Sequence, residues 1–215
     1  MSLDTIRDIR KTYYKSKADV NIVGSSVVPV PPSVTKKFRE LSEDFWSIQQ
    51  PTSPQFAETE TIPLVAPTGE LTDEGVYSTF MTEAVNVAVD DLLSRIEINF
   101  QLNGVFGKML RCVLIRVKAG KQIYPHIDDT FLGTEHEIYR MQMVSSSDKP
   151  FWNYASIDLG WEINESPTVN EMVRIPPRAL QSEANIGLND NIHALVYFQR
   201  NSATDELQKL TLHSP

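Results

Sequence analysis

The chain carries a single cysteine, Cys112, in 215 residues, which excludes an intrachain disulfide and the stapled scaffold of small secreted proteins. No run of about 18 apolar residues occurs, so no transmembrane helix is expected. An excess of positive charge is also missing. Lys and Arg number 20 against 28 Asp and Glu, a net charge of −8, which argues against nucleic acid as a partner. The first residues, Met-Ser-Leu-Asp-Thr-Ile-Arg-Asp, are charged where an export signal is apolar. Internal repeats and low-complexity tracts are absent, and a cytoplasmic setting is the expectation.

Hydrophobic residues make up 41% of the chain, the ordinary share for a globular protein that buries a sizeable core. Leu3, Ile6, Ile9 and Tyr13 recur at helical spacing and predict an amphipathic N-terminal helix, suited to docking or packing. Val27 to Pro32 reads as an extended connector, because each proline fixes its own φ and biases the preceding residue away from helix. Ser33 is placed to cap a second, short helix with the apolar stripe Val34, Phe38, Leu41 and Phe45. Gln50 to Gly69, with Pro51, Pro54, Pro63 and Pro67, predicts a loop with one short strand at Thr61 to Val65. The strongest helical signal follows. Thr72, Asp73 and Glu74 supply a cap and an acidic first turn, and Tyr77, Phe80, Met81, Ala84, Ala88, Leu92 and Ile96 line one side, as in a helix that buttresses a sheet.

Beyond Phe100 the pattern changes to strands. Arg111 to Lys118 is rich in β-formers and ends at the turn Ala119-Gly120. Ile138 to Val144 alternates, with Ile138, Arg140, Gln142 and Val144 on one face and Tyr139, Met141 and Met143 on the other. Glu171 to Ile175, Ile192 to Arg200 and Leu207 to Leu212 are further strands. Short strands separated by turns predict a sandwich, jelly roll or barrel rather than a βαβ sheet. The chain therefore divides into a helical and Pro-rich support region, residues 1–100, and a β core, residues 101–215, within one compact domain. His136 falls in a predicted exposed loop. Trp152 and Trp161 flank a polar stretch and read as packing residues in preference to a lid.

The residues that carry chemistry lie in this second half. In Tyr124-Pro125-His126-Ile127-Asp128-Asp129, positions i and i+2 of a strand share a face, so His126 and Asp128 present an imidazole and a carboxylate side by side. A third ligand from a distant strand would complete the two-histidine, one-carboxylate set that holds non-haem Fe(II) by one face. His193 is the best candidate, because period two puts it on one strand face with Leu195, Tyr197 and Gln199. The bland alternative is a His-x-Asp triplet that arose by chance. Asp129 reads first as a turn residue and second as a carboxylate that orients His126. Tyr124 and Tyr197 are candidates to line a pocket.

The run from Arg111 through Gly120 to His126-Ile127-Asp128 resembles the strand, glycine turn and H-x-D opening of the 2-oxoglutarate/Fe(II)-dependent oxygenases, in particular the aspartyl/asparaginyl β-hydroxylase-like branch. Tyr139-Arg140-Met141-Gln142-Met143 resembles that branch's next strand, where an arginine faces the cosubstrate, and Asn189 to Val196 is similar to its distal histidine strand. The resemblance implies a double-stranded β-helix, a cupin-like jelly roll with helices packed on its outer sheet. It implies Fe(II) held by His126, Asp128 and His193, with 2-oxoglutarate and O2 as cosubstrates. Arg140, beside Gln142 on its strand face, would pair with the distal carboxylate of 2-oxoglutarate, and Lys209 is the second candidate. Neither Lys209 nor Arg200 lies at the family's usual distance from the distal histidine, and Arg200, at an odd offset from His193, is expected to face away from it. The implied reaction hydroxylates a C–H bond of a peptidyl residue or a small molecule. Two alternatives stay open: a β-helix module without catalysis, and a structural component of a larger assembly, viral ones included, docked through the N-terminal region.

Overall fold

The computed structural model describes residues 26–47, 54–67, 75–77, 83–102, 107–127, 136–145, 151–156, 161–165, 168–175 and 180–200. The amphipathic N-terminal helix and the strand expected at Leu207 to Leu212 lie outside these residues, as do Asp128, Asp129 and Lys209.

Ser26–Val27 forms β1 and runs into the proline connector, followed by α1 (Pro32–Arg39) and α2 (Glu43–Ser47). Helix α1 starts on Pro32, where the missing N–H costs nothing because first-turn donors have no intrahelical partner. Pro31 takes the N-cap position without a side-chain hydrogen bond, so Ser33 sits inside the first turn and is not the cap. The stripe expected of one helix is shared between two: Val34 and Phe38 are buried on α1, Leu41 is buried in the link, and Phe45, on α2, packs partly against the same core.

A 3-10 turn at Pro54–Phe56 leads into β2 (Thr59–Pro67), which pairs at its far end with β3 (Gly75–Tyr77). Pro63 is tolerated there because it stands at a register shift, on the stretch of β2 that β3 does not reach. Helix α3 spans Glu83–Leu102 and begins later than the Thr72 signal predicts. Tyr77, read from spacing as part of the helical stripe, is a strand residue opposite Val65. Pairing that covers the edge of β2 has overridden local helix propensity. Of the rest of the stripe, Ala88, Leu92 and Ile96 are buried, and Phe80 and Met81 lie outside the described residues. Arg95 Nη1 donates to Pro29 O at 2.8 Å and Asn99 Nδ2 to Val27 O at 3.2 Å, which ties α3 to the proline connector. No helix among the described residues is long and apolar enough to cross a membrane.

Eight strands follow: β4 (Gly107–Val117), β5 (Gln122–Ile127), β6 (His136–Val144), β7 (Phe151–Ser156), β8 (Trp161–Glu165), β9 (Glu171–Ile175), β10 (Leu180–Ala184) and β11 (Asn191–Arg200). Gly120 turns the chain from β4 to β5 at φ 74°, a left-handed conformation that glycine adopts without strain. The seven-stranded sheet has the order β1-β9-β6-β11-β4-β2-β3, and the four-stranded sheet the order β5-β10-β7-β8. From β4 onward the chain passes repeatedly between the two sheets, and all pairings are antiparallel. The result is the mainly β jelly roll expected from the sequence. The segment read as support also contributes β1, β2 and β3 to the large sheet. His136 opens β6 opposite Gln199, so its backbone belongs to a strand and not to an exposed loop. Trp152 and Trp161 stand on the paired strands β7 and β8, neither of which the spacing revealed.

The large sheet separates two apolar layers. Cys112, Leu114, Met141, Met143, Ala194 and Val196 face the helices, where Phe38, Leu92 and Ile96 cover them. Val113, Ile115, Val117, Leu195 and Tyr197 face the small sheet and meet Ile123 from β5. Full burial pushes the Cys112 thiol up to about 12, so it stays protonated and serves as a core residue.

One polar cluster anchors α2 to this frame. Arg116 is 5% exposed, donates to both Glu43 carboxylate oxygens at 2.8 and 2.7 Å and to Glu60, and lies 4.6 Å from the Trp46 ring centre. Arg116→Ala is expected to lower stability by about 2 kcal/mol, because it removes a nearly buried guanidinium with its charged hydrogen bonds and its contact with Trp46, while Lys118 stays on Glu60 at 2.8 Å. Glu43→Gln, at an exposed partner, should cost less than about 1 kcal/mol. Urea denaturation of the two variants measures the difference, and equal losses would contradict this ranking.

Candidate functional site

Among the described residues the space between the sheets is lined by apolar side chains except where β4, β6, β10 and β11 place polar ones. Along β6, Arg140 lies opposite Leu195 and Gln142 opposite His193, so all four face the small sheet, as period two predicts. Val144 departs from that prediction. A register shift at Ile192/His193 sets it opposite Ile192, and both pack in the helix-facing layer. Gln142 is fully buried, and its Nε2 donates across this shift to Val144 O. Among the described residues no donor reaches Gln142 Oε1.

Arg140 is 1% exposed. Its Nη2 donates to Gln181 Oε1 at 2.9 Å, and its Nη1 lies 3.8 Å from Glu183 Oε2. The same Glu183 oxygen is 3.2 Å from His193 Nδ1. Glu183 and His193 are both shut off from solvent, so the large sheet contributes a cation and an imidazole, and the small sheet a carboxylate and an amide. Burial, and then the Arg140 charge, push the His193 imidazolium well below its usual 6.5, which leaves the ring neutral near pH 7. A carboxylate facing Nδ1 favours the tautomer protonated there and puts the lone pair on Nε2.

His126 belongs to the other sheet. It pairs with Gln181 on β10, while Glu183 pairs with Ile123. Three steps of β5 are thus matched to two of β10, and this bulge turns His126 and Ile123 to the same face although simple alternation would separate them. Nδ1 of His126 lies 2.8 Å from Tyr124 O. A carbonyl can only accept, so Nδ1 carries a proton, and Nε2 is the nitrogen left for another partner. The ring packs edge-on against Phe56 at 4.8 Å.

The structure therefore brings together Arg140, Gln142 and His193, with His126 on the sheet opposite; Asp128 and Lys209 lie outside the described residues. For a metal ion, both histidines offer Nε2, because Nδ1 of each faces an acceptor. Their placement is less favourable, because the Arg140 charge, which adds to burial in keeping His193 neutral, also repels a cation. Among the described residues no group of three or more His, Cys, Asp or Glu side chains is placed to hold a metal. For a carboxylate, Arg140 has both charge and burial. Tyr197 is buried beside the Arg111 guanidinium, 5.5 Å from its ring centre, whereas Tyr124, expected to line a pocket, is exposed. Arg200 ends β11 opposite Gly107.

Sequence reasoning missed Gln181, Glu183 and Asn185. The signal was present as inverted alternation, since these polar residues are the buried ones on β10 and just after it, while Leu180, Ser182 and Ala184 are partly exposed. Asn185 shapes the turn into β11, donating to Val117 O and Asn189 O and accepting from Gly187 N.

No family model and no curated protein matches the sequence. Among solved structures, the chain is similar to an oxidoreductase of the 2OG-Fe(II) oxygenase family from Burkholderia pseudomallei, with a TM-score of 0.56 and 11% identity over 89% of this chain and 90% of that one. It is similar to a prolyl hydroxylase from Trichoplax adhaerens, solved with a hypoxia inducible factor peptide, with a TM-score of 0.56 and 9% identity over 96% and 97% of the two chains. A third is the viral collagen prolyl hydroxylase from Paramecium Bursaria Chlorella virus-1, solved as a 2OG complex, with a TM-score of 0.53 and 8% identity over 86% and 99%. At such identities the likeness is one of fold, and it agrees with the two-sheet architecture.

His193 yields a pH test. Its folded state binds a proton only well below pH 6.5, whereas the unfolded chain binds one near 6.5. Its contribution to stability is therefore complete above that pH and declines as pH falls below it. Melting temperature should drop between about pH 7 and 5, and His193→Gln should flatten this drop. An unchanged slope in a folded variant would contradict the neutral, buried assignment.

Proposed function

We propose that the protein is a 2-oxoglutarate- and Fe(II)-dependent dioxygenase that hydroxylates a C–H bond of a peptidyl residue or small molecule. The observation that carries this reading is Arg140, a guanidinium buried between the sheets of a fold that such oxygenases share. In this reading His126, Asp128 and His193 hold Fe(II), Arg140 pairs with the distal carboxylate of 2-oxoglutarate, and Lys209 is the alternative cation. Bound Fe(II), 2-oxoglutarate and O2 would supply oxidative decarboxylation to succinate and carbon dioxide, coupled to the hydroxylation.

The chain's own residues bind and exclude water. In the dry inter-sheet space a charge-assisted pair with Arg140 is stronger than at the surface. Gln142 Oε1, a buried acceptor that no described donor reaches, suits a donor group on a bound molecule or a water. The aspartyl/asparaginyl hydroxylase-like branch, and a peptidyl substrate, rest on the sequence resemblance; a cytoplasmic location rests on composition.

One observation favours a second reading, a β-helix module without catalysis. Arg140 already faces Glu183, a counter-charge that the protein itself supplies. An assembly role would draw on the N-terminal region, which lies outside the described residues apart from Ser26 onward.

Anaerobic titration with Fe(II) and 2-oxoglutarate separates these readings. The wild type is expected to develop the weak visible absorption of the chelate. Arg140→Ala should weaken 2-oxoglutarate binding at least about thirtyfold, and His126→Ala should abolish the absorption. A folded wild type that shows no absorption and no binding would contradict the oxygenase reading and favour the module.

A further inference from the structure

We propose that Arg111 is a second anion-binding cation of the inter-sheet space, the group that receives a carboxylate of the substrate while Arg140, deeper in, serves the cosubstrate. This inference rests on the reading of that space as a hydroxylase site, and it names the substrate class: a peptidyl side chain or small molecule that bears a carboxylate.

The placement follows from strand pairing. On β11, Tyr197 stands opposite Arg111 of β4 and Ile138 of β6, and Leu195 stands opposite Val113 and Arg140. Directly paired residues share a face, so Arg111 faces the small sheet with Val113 and Arg140. A register shift at Tyr197/Phe198 brings Leu110 and Arg111 together where the strand would otherwise alternate. Leu110 packs against the inter-sheet layer, and the Arg111 guanidinium lies over the buried Tyr197 ring.

Burial falls off in one direction. Along β4, Val117, Ile115 and Val113 are buried and Arg111 is partly exposed; along β6, Gln142 and Arg140 are buried and Ile138 is partly exposed. Among the described residues, the large-sheet side of the space is thus closed around His193 and opens at the row of Arg111, Tyr197 and Ile138. By strand spacing the two arginines are rooted about 10 Å apart across the sheet and about 7 Å along it, far enough to hold two separate anionic groups.

A guanidinium resting on a ring face keeps its in-plane N–H donors for a bidentate pair with a carboxylate. Among the described residues no acidic side chain lies within ion-pair distance of Arg111, whereas Arg116, Arg140 and Arg174 each face one. A single cation between the apolar side chains of Leu110 and Ile138 suits one planar carboxylate on an apolar stem. Partial burial strengthens such a pair over its fully exposed counterpart.

Nitrogen-15 NMR titration of the full chain tests the idea with two carboxylate probes, a blocked Gly-Asp-Gly peptide and free succinate, and with blocked Gly-Asn-Gly as the neutral control. 2-Oxoglutarate with Zn(II), a redox-inert stand-in, is titrated separately. The Arg111 side-chain signal, assigned through Arg111→Lys, is expected to shift saturably with a carboxylate probe and to stay in place with the neutral peptide. A response to the peptide alone marks a peptidyl substrate, and a response to succinate alone a free acid. Arg111→Gln should weaken the responding probe at least about tenfold and leave 2-oxoglutarate binding within about twofold. Arg111→Lys, which keeps the charge without the planar fork, should weaken it by a smaller factor and reports the order if the amide variant does not fold. No carboxylate-dependent shift, or probe binding in folded Arg111→Gln as tight as in the wild type, overturns the role of Arg111 and leaves the Arg140 reading intact. Loss of 2-oxoglutarate binding in folded Arg111→Gln overturns both assignments. A wild type that binds the probe at Arg111 but no 2-oxoglutarate overturns the Arg140 reading alone.

Discussion

A guanidinium buried between two β-sheets has to be answered from the sheet opposite, and here that requirement organises the interior. Arg140 rises from the large sheet, and Gln181 and Glu183 meet it from the small one. A buried cation without such partners would cost several kcal/mol, so the apolar contacts of Val113, Ile115, Leu195 and Ile123 alone do not specify how the sheets face one another. The polar contacts add direction, because a one-residue slip of β10 would turn both answering groups away from Arg140. Glu183 also faces His193, whose neutrality follows from burial and from the nearby Arg140 charge.

Much of the large sheet was legible because its strands obey simple alternation with one apolar face. Ile138, Arg140 and Gln142 on β6, and His193, Leu195 and Tyr197 on β11, lie where period two puts them. The small sheet was harder to read. On β10 the inward residues are Gln181 and Glu183, so a rule that sends polar residues outward hides the strand that meets Arg140. His126 was found as a motif residue, yet its direction depends on a bulge between β5 and β10 that no local pattern announces. Val144 turned over for the same reason. At Tyr77 the helical spacing was genuine, and strand pairing with β2 overrode it.

The fold and the candidate site thus stand on different footing. The two-sheet architecture follows from alternation, antiparallel pairing and likeness to solved jelly rolls. The anion-binding half of the site follows from Arg140 and the groups that touch it. In the proposed metal site His126 comes from one sheet and His193 from the other, and Asp128 lies outside the described residues. Nδ1 of His126 lies against a backbone carbonyl and that of His193 against a carboxylate, so Nε2 of each would be the nitrogen to hold the proposed metal.

The central claim is that Arg140 is a shielded cation that takes the carboxylate of a ligand, as proposed above. Nitrogen-15 NMR of the arginine side chains tests it directly. The account predicts guanidinium signals of Arg140 protected from solvent exchange, assigned through Arg140→Lys, that shift saturably as 2-oxoglutarate is added. Signals that exchange as fast as those of surface arginines, or that stay in place at saturating 2-oxoglutarate, would contradict it.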